Sequence, residues 1–71
     1  MNITEYIKLC CVKGNISLRQ IALKAGISPQ NLSNKIAKNS FYFRDIEKLA
    51  DALDADVEIK FINRETGEPI I

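Results

Sequence analysis

The chain contains no histidine and no tryptophan, and its 71 residues include only two cysteines, two prolines and three glycines. Without histidine the usual Ser–His–Asp and Cys–His constellations, and most general acid–base pairs, cannot be assembled. No residues stand at metal-ligand spacing, and no glycine-rich run offers a phosphate loop. The expectation is a protein that is not an enzyme and needs no metal or other cofactor. No apolar run approaches the ~20 residues of a membrane span, and no basic stretch leads into an apolar one as in a secretory signal. The chain therefore reads as cytoplasmic, with no membrane partner and no evident small-molecule substrate. Cys10 and Cys11 are adjacent, and helix neighbours point roughly 100° apart, which places them poorly for bonding each other. Reduced thiols are the simplest reading; an intermolecular disulfide or a redox switch is the alternative.

What is present amounts to one domain, residues 1–71, near the lower end of what folds without staples. With 46% hydrophobic residues a modest core is available. The net charge of +1 conceals a division. Residues 1–44 hold seven lysines and arginines against Glu5 alone, a balance of +6. Residues 45–71 hold three bases against eight acids, a balance of −5. A basic front and an acidic back fit a polyanion partner on one side of the molecule.

Hydrophobic spacing predicts four helices. In the first, Ile3 to Lys13, Asn2 is the cap, Glu5 stands where a capping box wants a carboxylate, and Gly14-Asn15 ends the helix. Ile3, Ile7, Cys10 and Cys11 form one apolar stripe, which makes the cysteines small core residues. The second runs from Ser17 to Ala25, with a Ser17/Gln20 capping box, a stripe of Leu18, Ile21, Ala22 and Ala25, and Gly26 immediately after it. The third runs from Pro29 to about Lys38, capped by Ser28, with proline at the first helical position where its missing N–H costs nothing. Leu32 and Ile36 share its inner face. Phe41, Tyr42 and Phe43 lead into a fourth helix reaching about Leu53, with Ile46, Leu49, Ala50 and Leu53 inward and no obvious cap.

The period then changes from 3.6 to two. Val57, Ile59 and Phe61 alternate with Glu58 and Lys60, which is strand patterning. Asn63–Gly67 reads as a turn, and Pro69-Ile70-Ile71 as a short return strand confined to an edge by its proline. The expected fold is mainly α: a four-helix core over about 3–54 and a C-terminal β-strand or hairpin over about 56–71.

Two short helices joined by Ala25-Gly26-Ile27-Ser28 make a helix-turn-helix candidate. Ala22, Gly26 and Leu32 fall where a tight crossing needs a small residue, a positive φ and an apolar contact. The outer face of the third helix carries Gln30, Asn34 and Lys38, flanked by Asn31 and Ala37, and no acid. Amide side chains can pair bidentately with adenine N6 and N7 in the major groove, while lysines and helix-start N–H groups hold phosphates. A solvated, merely polar face is the plain alternative. Phe41 and Phe43 read as core anchors rather than stacking platforms, because they sit beside a helix start.

The stretch ISLRQIALKAGISPQNLSNKIAKNSFYFRDIEKLADAL resembles the phage repressor and Cro-type helix-turn-helix family, also called the XRE family, over residues 3–54. The resemblance implies sequence-specific binding of double-stranded DNA by a transcriptional regulator of the repressor type, bacterial or phage-encoded, with the third helix in the major groove. Carried over by position, base contacts fall to Gln30, Asn31, Ser33 and Asn34. Phosphate contacts fall to Ser17 and Arg19 at the start of the second helix, and to Lys35, Lys38, Asn39, Ser40, Tyr42 and Arg44 in and after the third. Two positions depart from the family pattern. Leu18 stands where many relatives have a phosphate-binding glutamine, and Pro29 where many have a base-reading one, which shifts the contact set toward Gln30, Asn34 and Lys38. Relatives bind as homodimers, and the spare segment here is Val57, Glu58, Ile59, Lys60 and Phe61. Paired antiparallel about Ile59, two copies would set each Glu58 against the partner's Lys60. A different class of function also fits: a protein-interaction module on the same fold, antitoxin-like or anti-repressor.

Overall fold

A computed structural model describes all of Met1–Ile71. It is mainly helical, with four helices and no sheet: α1 (Ile3–Lys13), α2 (Leu18–Ala25), α3 (Pro29–Lys38) and α4 (Phe43–Ala52). No helix is long and apolar enough to cross a membrane.

Local side-chain chemistry sets most of the helix ends. Asn2 accepts the Glu5 N–H at 2.8 Å, so the cap of α1 forms without the returning bond from the Glu5 carboxylate. Ser17 and Gln20 make both halves of a capping box, at 3.0 and 2.9 Å. Ser28 accepts the Asn31 N–H at 3.1 Å ahead of Pro29. Gly26 takes φ +74° and closes α2, a conformation that a Cβ would disfavour. At the end of α1 the left-handed residue is Asn15, with φ +52°. Gly14 serves close approach instead: a Cβ there would meet Leu53 Cδ2 at 3.2 Å.

The core gathers on α2. Ile21 and Leu32 are its two large, fully buried side chains, joined by Ile7, Cys11, Ala22, Ile27, Leu49 and Ala52. Burial of each large side chain supplies about 1.5–3 kcal/mol. α2 packs against α4 and α3, and more lightly against α1. The stripes predicted from spacing supply this core with several shifts. Cys10 is half-buried where Cys11 is buried. Leu18, Ala25, Ile36, Ile46, Ala50 and Leu53 border the core rather than fill it. Phe41 packs against the core, but Phe43 is 50% exposed and is not a core anchor.

The predicted C-terminal strand does not form. Residues 56–60 make no backbone–backbone hydrogen bond. The predicted turn is present: Asn63 Oδ1 accepts the N–H groups of Glu65 and Thr66, and Gly67 N–H returns to Asn63 O at 2.8 Å. The return pairs only as an isolated antiparallel bridge between Ile62 and Pro69, with Ile70 N–H donating to Phe61 O at 2.9 Å. Three residues are too few for a ladder, and Pro69 has no N–H to extend one. Val57–Lys60 therefore has no neighbouring strand within its own chain.

Candidate nucleic-acid interface

α3 buries Leu32 and turns most of its polar residues outward. Gln30, Asn31, Ser33, Asn34 and Lys38 are all exposed. Gln30 donates from Nε2 to Asn34 Oδ1 at 3.4 Å, so the two amides predicted to read bases already touch.

Between α3 and the loop leading to α4 lies a shallow polar cleft of about 370 Å³. Asn31, Asn34, Lys35, Lys38, Ser40 and Tyr42 line it. All six belong to the set assigned to DNA from the sequence. The other six stand outside it. Gln30 leans on Asn34, and Ser33 is exposed on α3. Ser17 and Arg19 are exposed at the start of α2, with the Ser17 hydroxyl oxygen engaged as the cap. Asn39, at φ +49°, accepts the Thr4 N–H at its Oδ1, at 3.1 Å. Arg44 sets its guanidinium 4.8 Å from the Tyr42 ring centroid.

Lys35 is not a free cation. Its Nζ lies 3.0 Å from Asp45 Oδ2. The same oxygen accepts the Tyr42 N–H at 2.9 Å, which supplies the α4 cap that the sequence did not reveal. Asp45 is only 6% exposed. Burial alone would push its carboxyl up, but the Tyr42 N–H, the Lys35 ammonium and the Arg44 charge together outweigh that and hold it below its ordinary value. The Lys35 ammonium also sits 5.3 Å from the Tyr42 ring centroid, within cation–π range. Tyr42, 65% exposed, is thus a cleft wall with cations against its ring rather than a core residue.

Sequence reasoning missed two buried polar residues. Asp45 carried a usable signal, because it stands three residues after the α4 cap position, where a carboxylate reaches back. Thr4 carried none: its hydroxyl donates to Ile36 O at 3.3 Å, across 32 residues of sequence.

The second depression is a groove of about 410 Å³, lined mostly by hydrophobic residues. α1 contributes Tyr6 and Cys10, α4 contributes Phe43 and Ile46, and the C-terminal segment contributes Val57 and Ile59. No residue of α3 lines it. Ile59 in its wall is 61% exposed, and Phe61, two residues further along the chain, is 78% exposed. Burial, with help from Cys10, pushes the Cys11 thiol up, which leaves it protonated and unreactive at neutral pH. No group of three or more metal-ligating side chains comes together.

Comparison with known proteins gives no family, no curated protein and no solved structure that matches this chain.

Proposed function

We propose that this chain is a helix-turn-helix protein of the repressor and Cro type, binding double-stranded DNA sequence-specifically through α3. The observation that carries the reading is the polar cleft. Two amides, a hydroxyl, a phenol and the free cation Lys38 converge on one acid-free wall of α3 and its following loop. Amides suit base edges, and lysine and hydroxyl groups suit phosphate oxygens. The supporting sequence features are the Gly26 turn, the capped α2 and α3, and the +6 balance of residues 1–44.

The second part of the proposal is a homodimer. One such helix reads few base pairs, so a two-fold pair reading half-sites about one DNA turn apart is the expected arrangement. Residues 56–60 have free backbone groups, Ile59 is bare in the wall of an apolar groove, and Phe61 is exposed two residues on. Glu58 and Lys60 already stand 3.1 Å apart on the segment, and antiparallel pairing about Ile59 would exchange them between copies. A second copy is thus the occupant that covers the groove, completes the ladder and leaves α3 outward.

Selection of duplexes from a random pool, followed by affinity measurement across salt, tests the proposal. The expected result is an enriched motif and a log K that falls with log salt by about 0.9 per phosphate contact. A flat salt dependence with no enriched motif overturns it and favours the protein-interaction reading.

A further inference from the structure

The two lysines of the cleft are not equivalent. Lys38 is exposed and unpaired. Lys35 is half-buried and paired with Asp45, whose carboxylate simultaneously caps α4. Releasing Lys35 to a phosphate would leave a buried carboxylate with a single N–H partner, and such unpaired buried charges are strongly disfavoured. Lys35 therefore has an internal competitor for any phosphate that enters the cleft.

We infer that Asp45 is a specificity-determining residue: it neutralises Lys35 and keeps it out of the phosphate contacts, so that affinity in the cleft depends on Asn31, Asn34 and Lys38. This rests on the DNA-binding reading above. Phosphate contacts raise affinity for every sequence alike, whereas amide contacts discriminate. A protein that binds through few cations and several amides has low affinity for random DNA. Removing the carboxylate adds a phosphate cation and erodes the discrimination. The same pair also fixes the Lys35 stem as a wall of the cleft, and the ammonium holds its place against the Tyr42 ring.

The test compares salt slopes for a random duplex and for the best duplex selected from the pool. In Asp45→Asn an amide oxygen remains to cap Tyr42 while Lys35 is released. The slope should steepen by about 0.9, an additional three- to fourfold loss of affinity between 50 and 200 mM salt, and random DNA should gain more at low salt than the selected duplex. The double variant Lys35→Met/Asp45→Asn carries no buried charge and should return to the wild-type slope. Asp51→Asn, which removes an exposed acid from the same helix, should leave the slope unchanged and so separates this effect from net charge. An unchanged slope in a folded Asp45→Asn overturns the inference. So does a double variant whose slope is shallower than wild type by about 0.9, since Lys35 would then already be touching phosphate. A wild-type protein with no salt dependence removes the DNA-binding reading itself, and this inference with it.

Discussion

The two depressions are nearly equal in volume, about 370 and 410 Å³, and opposite in chemistry. The polar cleft is braced. The Asp45–Lys35 pair ties α3 to α4, Thr4 ties α1 to the end of α3, and Gln30 touches Asn34. The apolar groove is edged by a segment with no hydrogen-bonded partner and by large side chains left in water. The first surface is held by bonds within its own chain, whereas the second leaves hydrophobic groups and backbone donors bare.

The comparison breaks most completely where both surfaces share support. Leu32 is 1% exposed beneath α3. Leu32→Ala should cost about 2–5 kcal/mol, measured by denaturant unfolding, and should loosen cleft and groove together. A loss under 1 kcal/mol would mean that α3 is not anchored through this residue. Next come the amides. Gln30→Ala or Asn34→Ala should weaken binding to the selected duplex by about 1–3 kcal/mol and relax base preference, while Lys38→Ala should weaken binding to all sequences alike. Specificity unchanged in both amide variants would remove them from base readout.

The groove side is sharpened by Ile59→Pro. With Ile59 as the central hydrogen-bonded pair of an antiparallel ladder, its N–H is used once in each copy, so the substitution deletes two donors and should weaken the dimer by roughly thirtyfold. Sedimentation of wild type and variant decides, and a monomeric wild type or an equally dimeric variant excludes the interface. The smallest effect is acid-dependent. The Asp45 carboxyl is depressed in the folded state, so its contribution is complete above its ordinary titration range and is lost as pH falls through the folded value. The melting temperature should hold near neutrality and drop below about pH 4, and the gap between wild type and Asp45→Asn should narrow over the same range. A gap that does not change with pH would mean that the carboxylate contributes nothing as an ion.

The helix ends were largely legible from sequence, because their signals are local. Asn2, Ser17, Gln20, Ser28, Pro29 and Gly26 act within one helical turn of themselves, and α1 and α3 begin and end where the spacing predicts. Alternation in Val57–Phe61 was equally visible, but a strand is a relation between two segments, and this chain offers the second only as a single bridge at Ile62 and Pro69. Six of the positions named from the sequence line one cleft, because helical spacing and the following loop bring them to one face. The pairing of Lys35 was not legible: it depends on a carboxylate ten positions away, in another helix.

Thr4 gives the first turn of α1 an unusual clock. The early N–H groups of a helix lack partners within it, and terminal turns open often and exchange their hydrogens quickly. Here the second residue of α1 donates to Asn39, at the far end of α3, and its hydroxyl reaches Ile36. Deuterium uptake at the Thr4 amide should therefore follow how long Asn39 holds its left-handed turn. One amide near the start of the chain becomes a reporter of the loop that borders the cleft, and a ligand that steadies that loop should slow exchange at residue 4 without touching it.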